Sequence, residues 1–130
     1  MSGNGPGIPL PVIENTIFNV MAGLVPAIHV LLTALMAGGF VYMMSNKRDG
    51  ILYVGVTSDL PKRIYEHRSG FVAGFTKRYG LKRLVWFEPH DDIRGAIQRE
   101  KTMKHWSRAW KVRTINAMNP DWRDLYDELA

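Results

Sequence analysis

The pattern of apolar and polar positions changes near residue 46 and divides the chain into two parts. Residues 16–46 contain no Asp, Glu, Lys or Arg, whereas charged residues recur throughout residues 47–130. The apolar stretch at 17–36 matches the roughly 20 residues that a helix needs to cross a bilayer. We therefore predict an apolar extension over residues 1–37 and a folded domain over residues 38–130.

Within the domain, three apolar and β-prone runs predict strands at residues 40–45, 51–57 and 83–88. The Asp-Gly pair at residues 49–50 lies between the first two runs and is typical of a β-hairpin turn. Pro89 is expected to end the third strand, because proline cannot donate a ladder hydrogen bond.

Apolar periodicity and capping residues predict the helices. The first follows Ser58 or Asp59, has Pro61 in its first turn and ends at Gly70. Residues 71–81 are predicted to form a loop. Three further helices are predicted: one from Asp91 or Asp92 to Lys104, one over residues 108–118, and a short one capped by Asp121. Leaving out the short last helix, the order ββαβαα predicts a small α+β domain, with a three-stranded antiparallel sheet flanked by helices.

The net charge follows the same division. Residues 1–46 hold a single acid, Glu14, whereas residues 47–130 hold all 17 bases and 11 acids, a net charge of +6. That excess favours a polyanion partner such as nucleic acid, although a well-solvated surface also explains it. The absence of cysteine excludes disulfides, thiolate zinc sites and a Cys nucleophile, and it fits a cytoplasmic location.

Three interpretations of the extension stay open. A membrane anchor would place Lys47 and Arg48 on the cytoplasmic side, but Pro26 interrupts the helix. A secretory signal would need a basic segment before the apolar one, and none is present. Residues 23–30 resemble a stretch that recurs in predicted bacterial proteins, and Met36 is a natural start. We favour this last interpretation and expect no functional role for residues 1–37 in the domain.

Two tripeptides give the domain a recognisable signature. They are Phe40-Val41-Tyr42 and Tyr53-Val54-Gly55, with ten residues between the first and second tyrosines. Together they resemble the paired motif of the GIY-YIG nuclease family, and within it the small standalone members. Phe40 stands where the family motif has its first Gly. Because glycine has no reactive side chain, this difference does not remove a group that catalysis would need.

The rest of the domain continues the resemblance. Thr57, Leu60, Arg63 and His67 match residues of the family's first helix, and Glu100 matches its acidic residue on the next helix. Asn119-Pro120-Asp121-Trp122 resembles the usual ending of the standalone proteins. The resemblance implies metal-dependent hydrolysis of phosphodiester bonds in DNA, more readily than in RNA, in repair or recombination. The alternative is a non-catalytic nucleic-acid-binding module on the same fold, with or without a membrane tether formed by the apolar segment.

The resemblance also implies a role for each site residue. Tyr42 would help to deprotonate the attacking water, and Tyr53 would orient it. Arg63 would neutralise charge on the phosphate, and Glu100 would hold one Mg²⁺ or Mn²⁺ ion. His67 would bind phosphate or move a proton. A domain of this size is expected to need a homodimer or a protein partner to cut both strands.

Without the resemblance, the same residues are also compatible with ordinary structural roles, which are the commoner use of paired strand tyrosines and of a lone histidine. The tyrosines share a face only if the hairpin turn has an even number of residues, and both can be ordinary core aromatics. Arg63 can pair with Glu66, and a lone His67 is commonly a packing residue. Glu100 follows Ile93 and Ile97 on an inward helical stripe, so it is a metal ligand, a buried partner of Arg63 or the end of the stripe.

Exposed bases and one aromatic residue are predicted to hold the nucleic-acid backbone. We assign this role to Lys77, Arg78, Tyr79, Lys101 and Lys104. Contacts of this kind carry no sequence information and weaken with salt. Trp106, Trp110 and Trp122 are predicted to be core or helix-packing residues and not stacking platforms for bases.

Overall fold

The computed structural model describes residues 37–129. In chain order the elements are β1 Gly39–Ser45, β2 Leu52–Thr57, α1 Leu60–Arg68, α2 Phe75–Tyr79, β3 Arg83–His90, α3 Ile93–Lys104, α4 Arg108–Met118 and a 3-10 helix Leu125–Glu128. The predicted α+β class is confirmed. The predictions for residues 1–36 lie outside the described residues, and within residues 37–129 no helix is long and apolar enough to cross a membrane.

The three strands form one antiparallel sheet with β1 in the centre and β2 and β3 at its edges. In the β1–β2 register, Tyr42 lies opposite Gly55 and Met44 lies opposite Tyr53. Because alternate residues of a strand share a face, Tyr42 and Tyr53 project from the same side of the sheet. The condition that the sequence left open is therefore met.

The sheet separates two apolar cores. Phe40 and Met44 pack on one face with Leu60 and Ile64 of α1 and with Leu125 of the 3-10 helix. The second core lies on the other face, where α3 and α4 pack. Its members are Val41, Met43, Val54, Val85, Trp86, Ala96, Met103, Trp106, Ile115 and Trp122. Trp106 and Trp122 are buried in this core and Trp110 packs against it, as predicted. The first face carries the tyrosines.

Local capping explains where the two main site helices begin. The Asp59 side chain accepts a hydrogen bond from the Lys62 amide at the start of α1. Asp92 does the same for the Gly95 amide at the start of α3. Each carboxylate satisfies an amide that the first helical turn leaves without a partner, which fixes the helix start.

The prediction of a loop over residues 71–81 was wrong in part, because α2 forms inside it. Gly80 adopts a left-handed conformation with φ of 67° and caps the single turn through its amide. Glycine has no Cβ to oppose that conformation, so it ends a helix at low cost. Gly80, inside the predicted loop, is therefore the C-cap of a short helix.

Two boundary predictions were also wrong. Strand β3 continues through Pro89 to His90. It lies at the sheet edge, where a missing backbone donor is tolerated. Asp124, not Asp121, caps the final helix by accepting from the Tyr126 amide. Its carboxylate also accepts from the Leu84 amide and pairs with Arg68, so it ties the chain end to the sheet.

Candidate active site on the tyrosine face of the sheet

The two tyrosines form the centre of the site. Their ring centroids lie 6.3 Å apart, and Tyr42 is completely buried whereas Tyr53 is half-buried. A Cβ on Gly55 would lie 2.5 Å from the Tyr42 hydroxyl oxygen and 2.8 Å from the Tyr53 ring. No real Cβ comes so close, so the glycine of Tyr53-Val54-Gly55 makes room for the Tyr42 ring.

His67 of α1 connects Tyr42 to a residue that the sequence did not single out. Its Nε2 lies 2.8 Å from the Tyr42 hydroxyl, and its Nδ1 lies 2.9 Å from the Thr76 hydroxyl of α2. All three side chains are buried. Burial and the nearby charge of Arg63 lower the pKa of His67 to about 4, so the imidazole is neutral near pH 7.

Arg63, one turn before His67 on α1, lies beside the Tyr42 hydroxyl. Burial raises the pKa of Tyr42 well above its usual range, and a hydrogen bond from Arg63 opposes that rise. The Arg63 Nη1 is also 3.4 Å from the Glu66 Oε1. The expected Arg63–Glu66 pair therefore exists, and the same guanidinium still faces the tyrosine.

Glu100 lies on α3 and is the acid that the sequence placed on a buried face. It is buried together with Ala96 and Met103, whereas Ile97 is 38% exposed. The assignment of Ile97 to the inward stripe was therefore wrong, although the position of Glu100 on that stripe is confirmed. Its negative charge helps to raise the pKa of Tyr42, so the carboxylate acts within electrostatic range of the tyrosine.

The partner of Glu100 is Lys104, not Arg63. The Lys104 Nζ lies 2.7 Å from the Glu100 Oε2, one helical turn away. This hydrogen bond raises the pKa of Lys104, so the lysine stays charged. Lys104 was predicted to bind nucleic acid, and the structure places its ammonium on the acid instead.

The donor set around Glu100 determines which metal it suits. Among residues 37–129 no three His, Asp or Glu side chains gather in the way that a protein cage for a metal requires. A single carboxylate suits Mg²⁺ or Mn²⁺, since Mg²⁺ keeps several waters and takes further ligands from substrate phosphate. Glu100 fits an ion of that kind.

Helix α2 carries a basic and aromatic surface, which lies beside the two tyrosines of the sheet. Lys77, Arg78 and Tyr79 are exposed, as predicted, and line an open depression with Ala73, Gly74 and Phe75. The Phe75 ring lies 4.8 Å from the Tyr79 ring and stacks at 6.4 Å on Tyr53. Lys101 is exposed on α3. The surface adjoins the tyrosines through Phe75.

Two residues of this region, Phe75 and Thr76, were not predicted from the sequence. The signal for Phe75 was its position four residues before Tyr79, which brings two aromatic rings together only if the segment is helical. Thr76 carried no such signal, because its contact with His67 joins two helices. Both omissions follow from the prediction of a loop.

Comparison with known proteins gives the same family that the motifs suggested. A family model described as the GIY-YIG catalytic domain matches residues 38–116, more than half of the chain. The chain therefore belongs to the GIY-YIG family, as a small GIY-YIG domain protein.

Its relatives include proteins named UPF0213. One from Syntrophus aciditrophicus is 37% identical over 87 residues, which cover 66% of this chain and 98% of that protein. Another from Staphylococcus saprophyticus is 36% identical over 77 residues, covering 59% and 93%. The solution NMR structure of a UPF0213 protein from Bacillus halodurans is 30% identical, covers 66% of this chain and 90% of that one, and has a TM-score of 0.42.

Proposed function

We propose that the domain is a metal-dependent endonuclease that hydrolyses phosphodiester bonds in DNA. The observation that carries the proposal is the placement of Tyr42, Tyr53, Arg63 and His67 in one cluster, with Glu100 in electrostatic range. These groups supply a cation for phosphate, an accessible hydroxyl for water and a carboxylate for a metal ion. Membership of a family whose domain is described as catalytic supports the same chemistry.

Arg63 is the group proposed to bind the scissile phosphate. Its side chain is 37% exposed, so an incoming phosphate reaches the guanidinium without unfolding of the site. A guanidinium makes two parallel hydrogen bonds to phosphate oxygens and stabilises the charge that develops on them. The weak contact with Glu66 leaves donors of Arg63 available.

The two tyrosines differ in exposure and are therefore proposed to have different roles. Tyr53 reaches solvent and is proposed to contact the attacking water, whereas the buried Tyr42 supports the site from beneath. This reverses the division that the family resemblance implied, in which Tyr42 deprotonates the water. The high pKa of Tyr42 agrees with a supporting role, because its hydroxyl keeps its proton.

Glu100 is the residue proposed to hold the divalent ion. The ion, when bound, supplies Lewis-acid polarisation of the phosphate and positive charge near the leaving oxygen. Lys104 occupies one carboxylate oxygen from an exposed position, so it can withdraw toward solvent when a cation or a phosphate approaches. Lys104 then becomes available to the backbone, as expected from the sequence.

The exposed bases are proposed to hold the nucleic-acid backbone near the cluster. Lys77 and Arg78 lie on α2 beside Tyr79, and Lys101 follows Glu100 on α3. Such contacts position DNA without reading its sequence. One site of this kind cuts one strand, so a homodimer or a protein partner is proposed for cutting both.

The test is a cleavage assay on single-stranded, branched and duplex DNA, with Mg²⁺ or with EDTA. We expect cutting that needs the metal. We also expect the logarithm of the DNA-binding constant to fall linearly with the logarithm of the salt concentration, with a slope set by the number of phosphate contacts. Lys111→Ala is the control for the loss of a positive charge, because Lys111 lies on α4, outside the cluster.

Binding without cutting on every substrate would contradict the enzyme and favour the non-catalytic module. Metal-dependent cutting that survives Arg63→Ala would overturn the site assignment, since a contaminating nuclease would explain it better.

A further inference from the structure

A chain of two hydrogen bonds joins Tyr42 to α2 through His67. The Tyr42 hydroxyl is 2.8 Å from His67 Nε2, and His67 Nδ1 is 2.9 Å from Thr76 Oγ1. Strand β1 and helix α2 contribute the two hydroxyls, which contact different nitrogens of the buried imidazole of α1. The proposed mechanism gives Thr76 no role.

The direction of the chain follows from the chemistry of its two hydroxyls. A phenol hydroxyl is a stronger hydrogen-bond donor and a weaker acceptor than the hydroxyl of threonine, so the Tyr42 hydroxyl donates its proton. His67 Nε2 is the acceptor within reach. A neutral imidazole carries one proton, which then lies on Nδ1 and points to Thr76 Oγ1.

The reverse direction matches donors and acceptors less well. If Thr76 donated to Nδ1, Nε2–H would donate to Tyr42. The phenol oxygen, the weaker acceptor, would then receive the imidazole proton, and the phenol hydroxyl, the stronger donor, would stay out of the chain. Each direction leaves one hydroxyl proton outside the chain, and the forward direction leaves that of the weaker donor, Thr76.

We infer that Thr76 is a positioning residue, which accepts the Nδ1 proton of His67 and so keeps Nε2 free to accept the hydroxyl of Tyr42. This inference rests on the proposed function for its catalytic meaning, though not for its structural part. The same one-turn helix presents Lys77, Arg78 and Tyr79 to solvent, so Thr76 also joins the DNA-binding surface to the tyrosines.

The test is ¹⁵N NMR of the His67 side chain in the full chain, which needs no substrate. We expect a pyrrole-type Nδ1 and a pyridine-type Nε2 in the wild type and in Thr76→Ser. In Thr76→Val, which removes the hydroxyl at nearly constant volume, we expect the proton to move toward Nε2, the tautomer that free imidazole side chains favour. Thr114→Val is the matched control, because the Thr114 hydroxyl donates to a backbone oxygen within α4.

Kinetics provide the second readout. We expect Thr76→Val to lower kcat between roughly tenfold and 100-fold with little change in KM, and Thr76→Ser to restore it. A pyrrole-type Nε2 in the wild type, or an unchanged tautomer in Thr76→Val, would overturn the inference. If the wild type cuts no DNA, the proposed function fails, whereas the tautomer of His67 still decides the role of Thr76. Because the wild type and Thr76→Ser give the decisive spectra, misfolding of Thr76→Val does not remove the test.

Discussion

Two carboxylates beside α3 show how similar surroundings lead to different uses. The Glu88 and Glu100 side chains are 15% and 11% exposed, and each has a basic partner on α3. Glu88 receives two hydrogen bonds from Arg99, at 2.9 and 3.2 Å, and a third contact from His90 at 2.9 Å. Glu100 has one contact, with the flexible Lys104.

The two carboxylates differ in how firmly their basic partners are held. Arg99 is itself largely buried and holds Glu88 in a fixed fork, whereas the Lys104 side chain is 51% exposed. Burial alone would raise the pKa of Glu88, but hydrogen bonds from His90 and Arg99 hold it below its usual range. Burial of an acid therefore does not identify a site, and the accessibility of its partner is the better indicator.

The largest effect is expected when the arginines of the two regions are compared. Arg63→Lys should lower kcat between roughly 100-fold and 1,000-fold, because a lysine cannot reproduce the paired donors offered to the phosphate. Arg99→Lys, measured in the same cleavage assay, should leave kcat within a few-fold. Equal losses in two folded variants would show that the Glu88 region belongs to the reaction.

Stability should respond in the opposite order. Glu88→Gln weakens a buried, doubly bonded pair and should cost about 2–3 kcal/mol of unfolding free energy. Glu100→Gln should cost less than about 1 kcal/mol, since its partner is exposed. Urea denaturation followed by circular dichroism measures both values. A larger loss in Glu100→Gln would mean that Glu100 is primarily structural.

The tyrosine face should tolerate added volume less well than α3. Gly55→Ala should cost about 1–3 kcal/mol, because the new methyl group displaces the Tyr42 ring. In Gly95→Ala the nearest atoms lie 3.6 Å from the new Cβ, so this helical control should be neutral or stabilising by up to about 1 kcal/mol. Thermal unfolding gives the comparison, and a neutral Gly55→Ala would contradict the packing argument.

The pH dependence of the unfolding free energy should distinguish the His67 region from the Glu88 region, by about 1–2 kcal/mol. His67 has a pKa of about 4 in the folded chain and about 6.5 when unfolded, so the unfolded state binds more protons between these values. Stability should therefore fall as the pH falls from 6.5 toward 4, and His67→Gln should flatten that fall. The contribution of Glu88 should be lost only below about pH 4.5, as its lowered pKa requires.

Denaturation curves of His67→Gln and Glu88→Gln at several pH values check this prediction. If Glu88→Gln flattened the curve between pH 6.5 and 5, the assignment of that range to His67 would be wrong.

Local signals explain which parts of the fold were predictable. The hairpin followed from its Asp-Gly turn, and helix α4 over residues 108–118 was confirmed at both ends. The shared face of Tyr42 and Tyr53 needed only the period of a strand and the parity of the turn. These features depend on residues that are close in sequence.

Features that join distant segments were not predictable. The contact of Thr76 with His67 depends on α2, a single turn whose apolar pattern is too short to detect. The contacts of Asp124 with the Leu84 amide and with Arg68 were missed because they join segments that are distant in sequence. Lys104 is one turn from Glu100, but rejecting Arg63 as the partner of Glu100 required the orientation of the helices.

The most direct test of the account compares Glu100→Gln with Glu88→Gln in one DNA cleavage assay, with Mg²⁺, with Mn²⁺ and with EDTA. We predict metal-dependent cutting by the wild type and by Glu88→Gln, and a loss of at least roughly 100-fold in Glu100→Gln although its fold is intact. Equal cutting by the wild type and Glu100→Gln, or full activity in EDTA, would contradict the claim that Glu100 is the metal-binding acid of this site.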